Sequence, residues 1–297
     1  MVNLAGVFAP IPTPFDDRDE LDTTRLRAAL ARWMTRPLTG IVVLGSNGEA
    51  ALMDDFEADR AIVAAREAVP RDRPFIVGTG RESTVAAVRA AKRAAEHGAD
   101  AILVRTPGFF KAQMTTDVFV RHYTAVADAS PVPILLYNFT AVTGVDLLPA
   151  AIARLAEHPN IIGMKESGGD IGRIADLVNS TPDTFQVLAG ATATFYPALC
   201  VGATGGILAP ACVVPDACMR VFALTRANRH AEAVAVQRQL MPLARLLGAT
   251  YGVPGLKAAL NLIGYDIGDP RPPLLQAPES AIPLLRAALA QFEQIPA

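Results

Sequence analysis

The chain has 297 residues, 51% of them apolar, which excludes a small disulfide-stapled domain and a disordered chain. Lys plus Arg (27) nearly balance Asp plus Glu (29), so the basic excess expected of a nucleic-acid binder is missing. No basic and apolar leader opens the chain and no apolar run approaches the ~20 residues that span a bilayer, so the expectation is a cytoplasmic protein without nucleic-acid or membrane partners.

Short apolar runs of strand length fall at residues 7–10, 40–44, 75–78, 101–104, 134–137, 161–165, 185–189 and 205–208. Amphipathic stretches of helical length separate them, the spacing of consecutive βαβ units. The runs are apolar throughout rather than alternating, which predicts a sheet covered on both faces. Asp54 with Glu57 three residues on reads as a capping box opening a helix to residue 69, and Gly98 stops the helix 84–97. After the eighth run, residues 214–225, 229–246, 254–263 and 280–292 read as helices. The first completes a barrel; the others have apolar faces to bury against the barrel or against another subunit. The expectation is an α/β protein, a (β/α)₈ TIM barrel over residues 1–225. A C-terminal helical extension, 226–297, packs on it as part of one structural unit. A doubly wound open sheet would want a Gly-rich turn after its first strand, and Ala9-Pro10-Ile11-Pro12 is not one.

Active groups of such a barrel sit at the C-terminal ends of strands and in the loops that follow. That rule selects Gly45-Ser46-Asn47-Gly48-Glu49, Tyr137, Lys165 and Gly190. Only four lysines occur: Lys92 on a helix, Lys111 in a loop, Lys257 in the extension, and Lys165 closing an apolar strand. Burial disfavours the charged form of an amine, and a neutral amine attacks carbonyls. The same placement equally suits a lysine paired with a carboxylate such as Glu49 or Glu166. Tyr137 ends the neighbouring strand, where a phenol can relay a proton or simply be a core tyrosine with a wet tip. Ser46 and Asn47 lie in a small polar turn able to hold a carboxylate, although glycine-rich turns also occur for conformational reasons alone.

His97, His122, His158 and His230 are scattered without ligand spacing, so no metal site is expected, and surface or helix-end positions are. Cys200, Cys212 and Cys218, in or beside apolar stretches, are expected to be free buried thiols in a reducing compartment.

Gly45-Ser46-Asn47-Gly48-Glu49, Tyr137-Asn138, Ile161-Ile162-Gly163-Met164-Lys165-Glu166-Ser167, Gly190 and Gly205-Gly206-Ile207 together resemble the dihydrodipicolinate synthase and N-acetylneuraminate lyase family of class I, pyruvate-type aldolases. Similarity runs over nearly the whole chain. The resemblance implies that Lys165 is the Schiff-base lysine, Tyr137 the proton-relay phenol, and Ser46 and Asn47 the holders of the 2-oxo acid's carboxylate. It further implies that Ser167 meets the distal part of the substrate, while Gly190 and Ile207 shape the pyruvate pocket. It implies no metal or organic cofactor beyond the covalent imine on Lys165, small-molecule 2-oxo acid and aldehyde substrates, and a homodimer or homotetramer.

Two positions depart from the family. Its interface tyrosine follows a Thr-Pro pair and would fall in Thr106-Pro107-Gly108-Phe109-Phe110, where Phe109 has no hydroxyl. Its synthases carry an arginine in the loop after the Tyr-Asn strand, where this chain has Val142. Losing that carboxylate clamp argues against efficient lysine biosynthesis. The segment His158–Asp170, with Ser46-Asn47, more closely resembles 4-hydroxy-2-oxoglutarate aldolases and related 2-keto-3-deoxy sugar-acid aldolases. The alternatives are condensation of pyruvate with aspartate semialdehyde, dehydration of a deoxy-oxo sugar acid, and a catalytically silent barrel that binds a 2-oxo acid.

Overall fold

The computed structural model describes residues 2–292. Eight strands carry the sheet: β1 (Gly6–Pro10), β2 (Gly40–Val43), β3 (Phe75–Gly78), β4 (Ala101–Arg105), β5 (Ile134–Asn138), β6 (Ile161–Glu166), β7 (Gln186–Ala189) and β8 (Gly205–Ile207). Each lies within one residue, at either end, of its predicted run. All neighbours pair in parallel, and β1 pairs with β8 to close the barrel. Closure removes the exposed edges that an open sheet would have to protect.

Helices α1 (Thr23–Met34), α2 (Asp55–Ala68), α3 (Thr84–Glu96) and α4 (Thr116–Ala129) cover the first half. The second half carries the single turn α5 (Thr140–Thr143), then α6 (Pro149–Ala156), α7 (Ile171–Ser180), α8 (Phe195–Cys200) and α9 (Pro215–Arg226). The capping box of Asp54 and Glu57 is formed as expected, and Gly98 takes the left-handed conformation (φ +87°) just past α3. The extension supplies α10 (His230–Arg245), α11 (Gly252–Leu262) and α12 (Ala281–Leu289). Their buried faces (Val236 and Leu240, Leu256 and Leu260, Leu285 and Ala288) join the same core as the barrel's outer layer. They are thus covered within the chain. The extension's last residues, 293–297, lie outside the described residues.

Apolar residues divide by strand parity into two cores. One packs Phe8, Val42, Ile76, Leu103, Leu135, Tyr137, Ile162, Leu188 and Ile207, with members from every strand and none from a helix, and so fills the barrel. The other packs the alternate strand residues (Val7, Ile41, Val77, Val104, Leu136, Met164) against the helices. This is why the strand runs are apolar at every position.

The alternation breaks once, in β6. Ile134 is opposite Ile161, but Leu135 is opposite Gly163, so Ile162 is an extra residue in the ladder. A bulge of one residue exchanges the faces of everything beyond it. Met164 therefore joins the helix-facing core, and Lys165 turns to the barrel interior opposite Tyr137. Gly163 permits the bend. A Cβ there would lie 2.2 Å from the Gln186 carbonyl oxygen of β7, closer than any side chain tolerates.

Candidate active site

Lys165 closes β6 at 7% exposure, with Tyr137 on one side and Leu188 on the other as register partners. Its Nζ donates to Tyr137 Oη at 3.3 Å and lies 4.4 Å from the centre of the Tyr137 ring. Tyr137 Oη also shares a 3.1 Å hydrogen bond with Ser46 Oγ. Amine, phenol and alcohol thus form one chain, along which a proton can shift by exchange of donor and acceptor roles. Phe139 stacks on the Tyr137 ring (centroids 6.1 Å apart) and fixes its plane.

Both carboxylates that could have paired with Lys165 are engaged elsewhere. Glu49 holds Lys257 at 2.7 Å, with both side chains buried, and Glu166 holds Arg173 at 2.9 Å. Among the described residues Lys165 has no carboxylate partner. Burial pushes the Lys257 ammonium below its usual range, an effect that Glu49 opposes.

Ser46 and Asn47 lie in the turn after β2, bracketed by two non-glycine residues in the left-handed region, Leu44 and Glu49 (both φ +55°). Such conformations cost about 1–3 kcal/mol and persist where the surroundings enforce them. The turn closes through Gly48 N–H to Gly45 O (3.1 Å) and Glu49 N–H to Ser46 O (3.1 Å). Among the described residues the backbone N–H groups of Ser46 and Asn47 have no protein acceptor, and this leaves two donors for an anion.

Gly190, after β7, is the space Lys165 needs. A Cβ there would sit 2.0 Å from Ser167 Oγ and 3.0 Å from Lys165 Cε. Ser167 therefore stands beside the lysine, across from Gly190. Ile207 is fully buried in the barrel-filling core with Tyr137 and Leu188. Of the seven residues singled out from sequence, Ser46, Tyr137 and Lys165 are bonded together, and Ser167 and Gly190 adjoin them. Ile207 packs in the same interior, and Asn47 shares the turn of Ser46.

A network behind β5 and β6 has no counterpart in the sequence reading. Asn138 Nδ2 donates to Asp146 Oδ1 (2.9 Å) and to Glu166 Oε2 (3.0 Å), and Leu147 N–H donates to Asn138 Oδ1 (3.0 Å). Arg173 donates to Glu166 Oε2, to Asp146 Oδ2 (3.0 Å) and to the Leu147 carbonyl (2.6 Å). Asn138 and Glu166 are register partners immediately beyond Tyr137 and Lys165. Their adjacency to Tyr137 and Lys165 was the available signal. The network fixes the loops following both strands, and with them Ser167.

Two expectations need correction. His122 is buried within α4 rather than at a surface or helix end: its Nδ1 meets Thr84 Oγ1 at 2.9 Å, because position 122 falls on the inner face of that helix. Cys200 is exposed, while Cys212 and Cys218 are buried, and all three are free. Burial pushes both buried thiols well up, so they stay protonated and are not nucleophiles. Among the described residues no three His, Cys, Asp or Glu side chains are grouped to hold a metal, and no helix is long and apolar enough to cross a membrane.

A closed parallel barrel with a lysine and a tyrosine facing inward at its mouth, the lysine without a carboxylate partner among the described residues, is an arrangement suited to a barrel enzyme. The family model of the dihydrodipicolinate synthetase family matches residues 3–292. A protein named 4-hydroxy-tetrahydrodipicolinate synthase from an Exiguobacterium species is 33% identical over 290 residues, 98% of each chain. A protein of Emericella nidulans named "Probable 4-hydroxy-2-oxoglutarate aldolase, mitochondrial" is 35% identical over 97% of this chain and 95% of its own. The crystal structure of a dihydrodipicolinate synthase from Bacillus anthracis superposes with a TM-score of 0.93 over 100% of both chains at 27% identity. The chain belongs to the dihydrodipicolinate synthetase family and is a class I, Schiff-base, pyruvate-dependent lyase.

Proposed function

We propose that Lys165 attacks C2 of a 4-hydroxy-2-oxo acid and that Tyr137 gives up its proton to the departing C2 oxygen, so that water leaves and an iminium forms beside a Tyr137 phenolate. Ser46 and Asn47 hold the adjacent carboxylate through the turn's free N–H groups and the Ser46 hydroxyl. Tyr137 accepts the proton of the C4 hydroxyl, the C3–C4 bond breaks, and its electron pair moves into the iminium to leave an enamine. An aldehyde departs. Tyr137 returns the proton to C3, and water hydrolyses the imine to release pyruvate. The imine supplies the electron sink that a metal gives in other aldolases. Ser167, Gly190 and Ile207 bound the pocket.

The observation that carries this reading is the chain from Lys165 Nζ through Tyr137 Oη to Ser46 Oγ, with no carboxylate on the lysine. The substrate's second half is read from Val142, which is 61% exposed and offers no bidentate clamp for an aspartate semialdehyde carboxylate. A second reading, condensation of pyruvate with aspartate semialdehyde, is favoured by the name of the Exiguobacterium relative. Incubation with 4-hydroxy-2-oxoglutarate and 2-keto-3-deoxy sugar acids should release pyruvate. Exclusive formation of a cyclic product from pyruvate and aspartate semialdehyde would replace the first reading with the second.

Assembly as a homodimer or homotetramer belongs to the same proposal, supported by Phe109 and Phe110, exposed on the loop after β4. A cytoplasmic setting is supported by the three free cysteines.

A further inference from the structure

Glu49 ends the turn that carries Ser46 and Asn47, yet no step of the reaction uses it. Its side chain is inaccessible to solvent and is fixed from the far end of the chain. Lys257 Nζ of α11 lies 2.7 Å from Oε1, and Arg271 N–H donates to Oε2 at 2.8 Å. Lys257 donates also to the Asp269 carbonyl (2.8 Å), so one ammonium joins Glu49 to the strand of chain before Arg271. Arg271 in turn donates to the Leu52 carbonyl (2.9 Å) and to Glu57, beyond the turn. Both cations lie against the Phe15 ring, at 4.5 and 4.1 Å from its centre. From the barrel side, Thr13 Oγ1 donates to the Gly48 carbonyl at 2.7 Å.

A buried ion pair is a poor device for stability, since apolar residues of the same volume serve as well or better. It does fix position, because each charge tolerates few geometries in a low-dielectric interior. Here the fixed backbone is a strained left-handed residue directly following Asn47 and Gly48. We infer that Lys257, acting through Glu49, is a positioning residue for the carboxylate-holding turn, so that the C-terminal extension sets the affinity for the 2-oxo acid. The inference rests on the reading of Ser46 and Asn47 given above. Without the pair the turn keeps its sequence but loses the anchor that presents its N–H groups and Ser46 Oγ to the site.

The test is the paired variant Glu49→Gln with Lys257→Met, which removes both charges and leaves an amide oxygen for Arg271 N–H. Wild type and variant are titrated with pyruvate and trapped with borohydride, and labelling of Lys165 is followed by mass. The expected result is a thermal midpoint close to wild type and an apparent Kd for pyruvate raised about tenfold or more. Labelling at saturating pyruvate should stay near the wild-type extent. An unchanged Kd overturns the inference. If the paired variant does not fold, Glu49→Gln alone is read in the same way, and loss of the fold in both overturns it in favour of a purely structural pair. Absence of labelling in the wild type is a separate outcome, which removes the reading of Lys165 and this inference with it.

Discussion

Tyr137 and Lys165 are register partners across β5 and β6, and they face each other only because Ile162 is an extra residue in the ladder between them. Without the bulge, strand parity would turn the lysine outward among the helices and bring Met164 into the barrel. The Lys165 amine, which the proposed reaction uses, is therefore aimed by backbone register as much as by its own side chain.

Gly163 bears the cost of that register. Gly163→Ala places a Cβ 2.2 Å from the Gln186 carbonyl and must move β6 away from β7. Overpacking of this kind costs about 1–3 kcal/mol, so the urea midpoint should fall and labelling of Lys165 should fall with it. A midpoint equal to wild type would mean that the strands adjust freely.

Gly190→Ala separates activity from stability. The added methyl meets the Ser167 hydroxyl, which can rotate away, and Ser167 Cβ and Lys165 Cε, each at 3.0 Å, which must shift by a few tenths of an ångström. Misplacing a reacting atom by about 1 Å can cost on the order of 10²-fold in rate. Imine formation with pyruvate should drop steeply while the thermal midpoint changes little; equal loss of both would point to simple crowding.

Tyr137→Phe keeps the ring between Phe139 and Lys165 and removes only the oxygen shared with Ser46 and Lys165. General acid–base groups contribute about 10²–10⁴-fold, so kcat should fall by that order in stopped-flow or coupled assays. KM for the 4-hydroxy-2-oxo acid should change far less, because the backbone N–H groups of Ser46 and Asn47 stay in place. A wild-type kcat would remove the phenol from the mechanism.

His122 makes stability depend on pH. Burial pushes its imidazole down from 6.5 to about 4, an effect that Glu82 opposes and Arg105 reinforces. Between about pH 4 and 6.5 the unfolded chain binds a proton that the folded chain does not. This contribution is complete above pH 6.5 and is lost as pH falls towards 4, up to about 3 kcal/mol in all. His122→Asn keeps an acceptor for Thr84 and cannot take up a proton, so its urea midpoint should change less between pH 7 and 5 than that of wild type.

The barrel was legible because eight apolar runs repeat at βαβ spacing, and strand length leaves little freedom in where each begins. Lys165 and Tyr137 were legible because strand ends in a barrel point to the mouth. What local sequence could not yield depends on register or on distant pairing. The bulge at Ile162 exists only in relation to β5. Glu49 and Glu166 read equally well as partners of Lys165 until Lys257 and Arg173, from other parts of the chain, were seen to take them. His122 read as a surface residue from its residue type, although the spacing of Phe119, Tyr123 and Val126 places position 122 on the inner face of α4.

The most direct measurement is peptide mapping after borohydride reduction in the presence of pyruvate. The expected result is a single adduct, heavier by reduced pyruvate, on the peptide carrying Lys165 and absent in Lys165→Ala. An adduct on Lys257, Lys111 or Lys92, or none at all in protein that turns over its substrate, would contradict the assignment of Lys165.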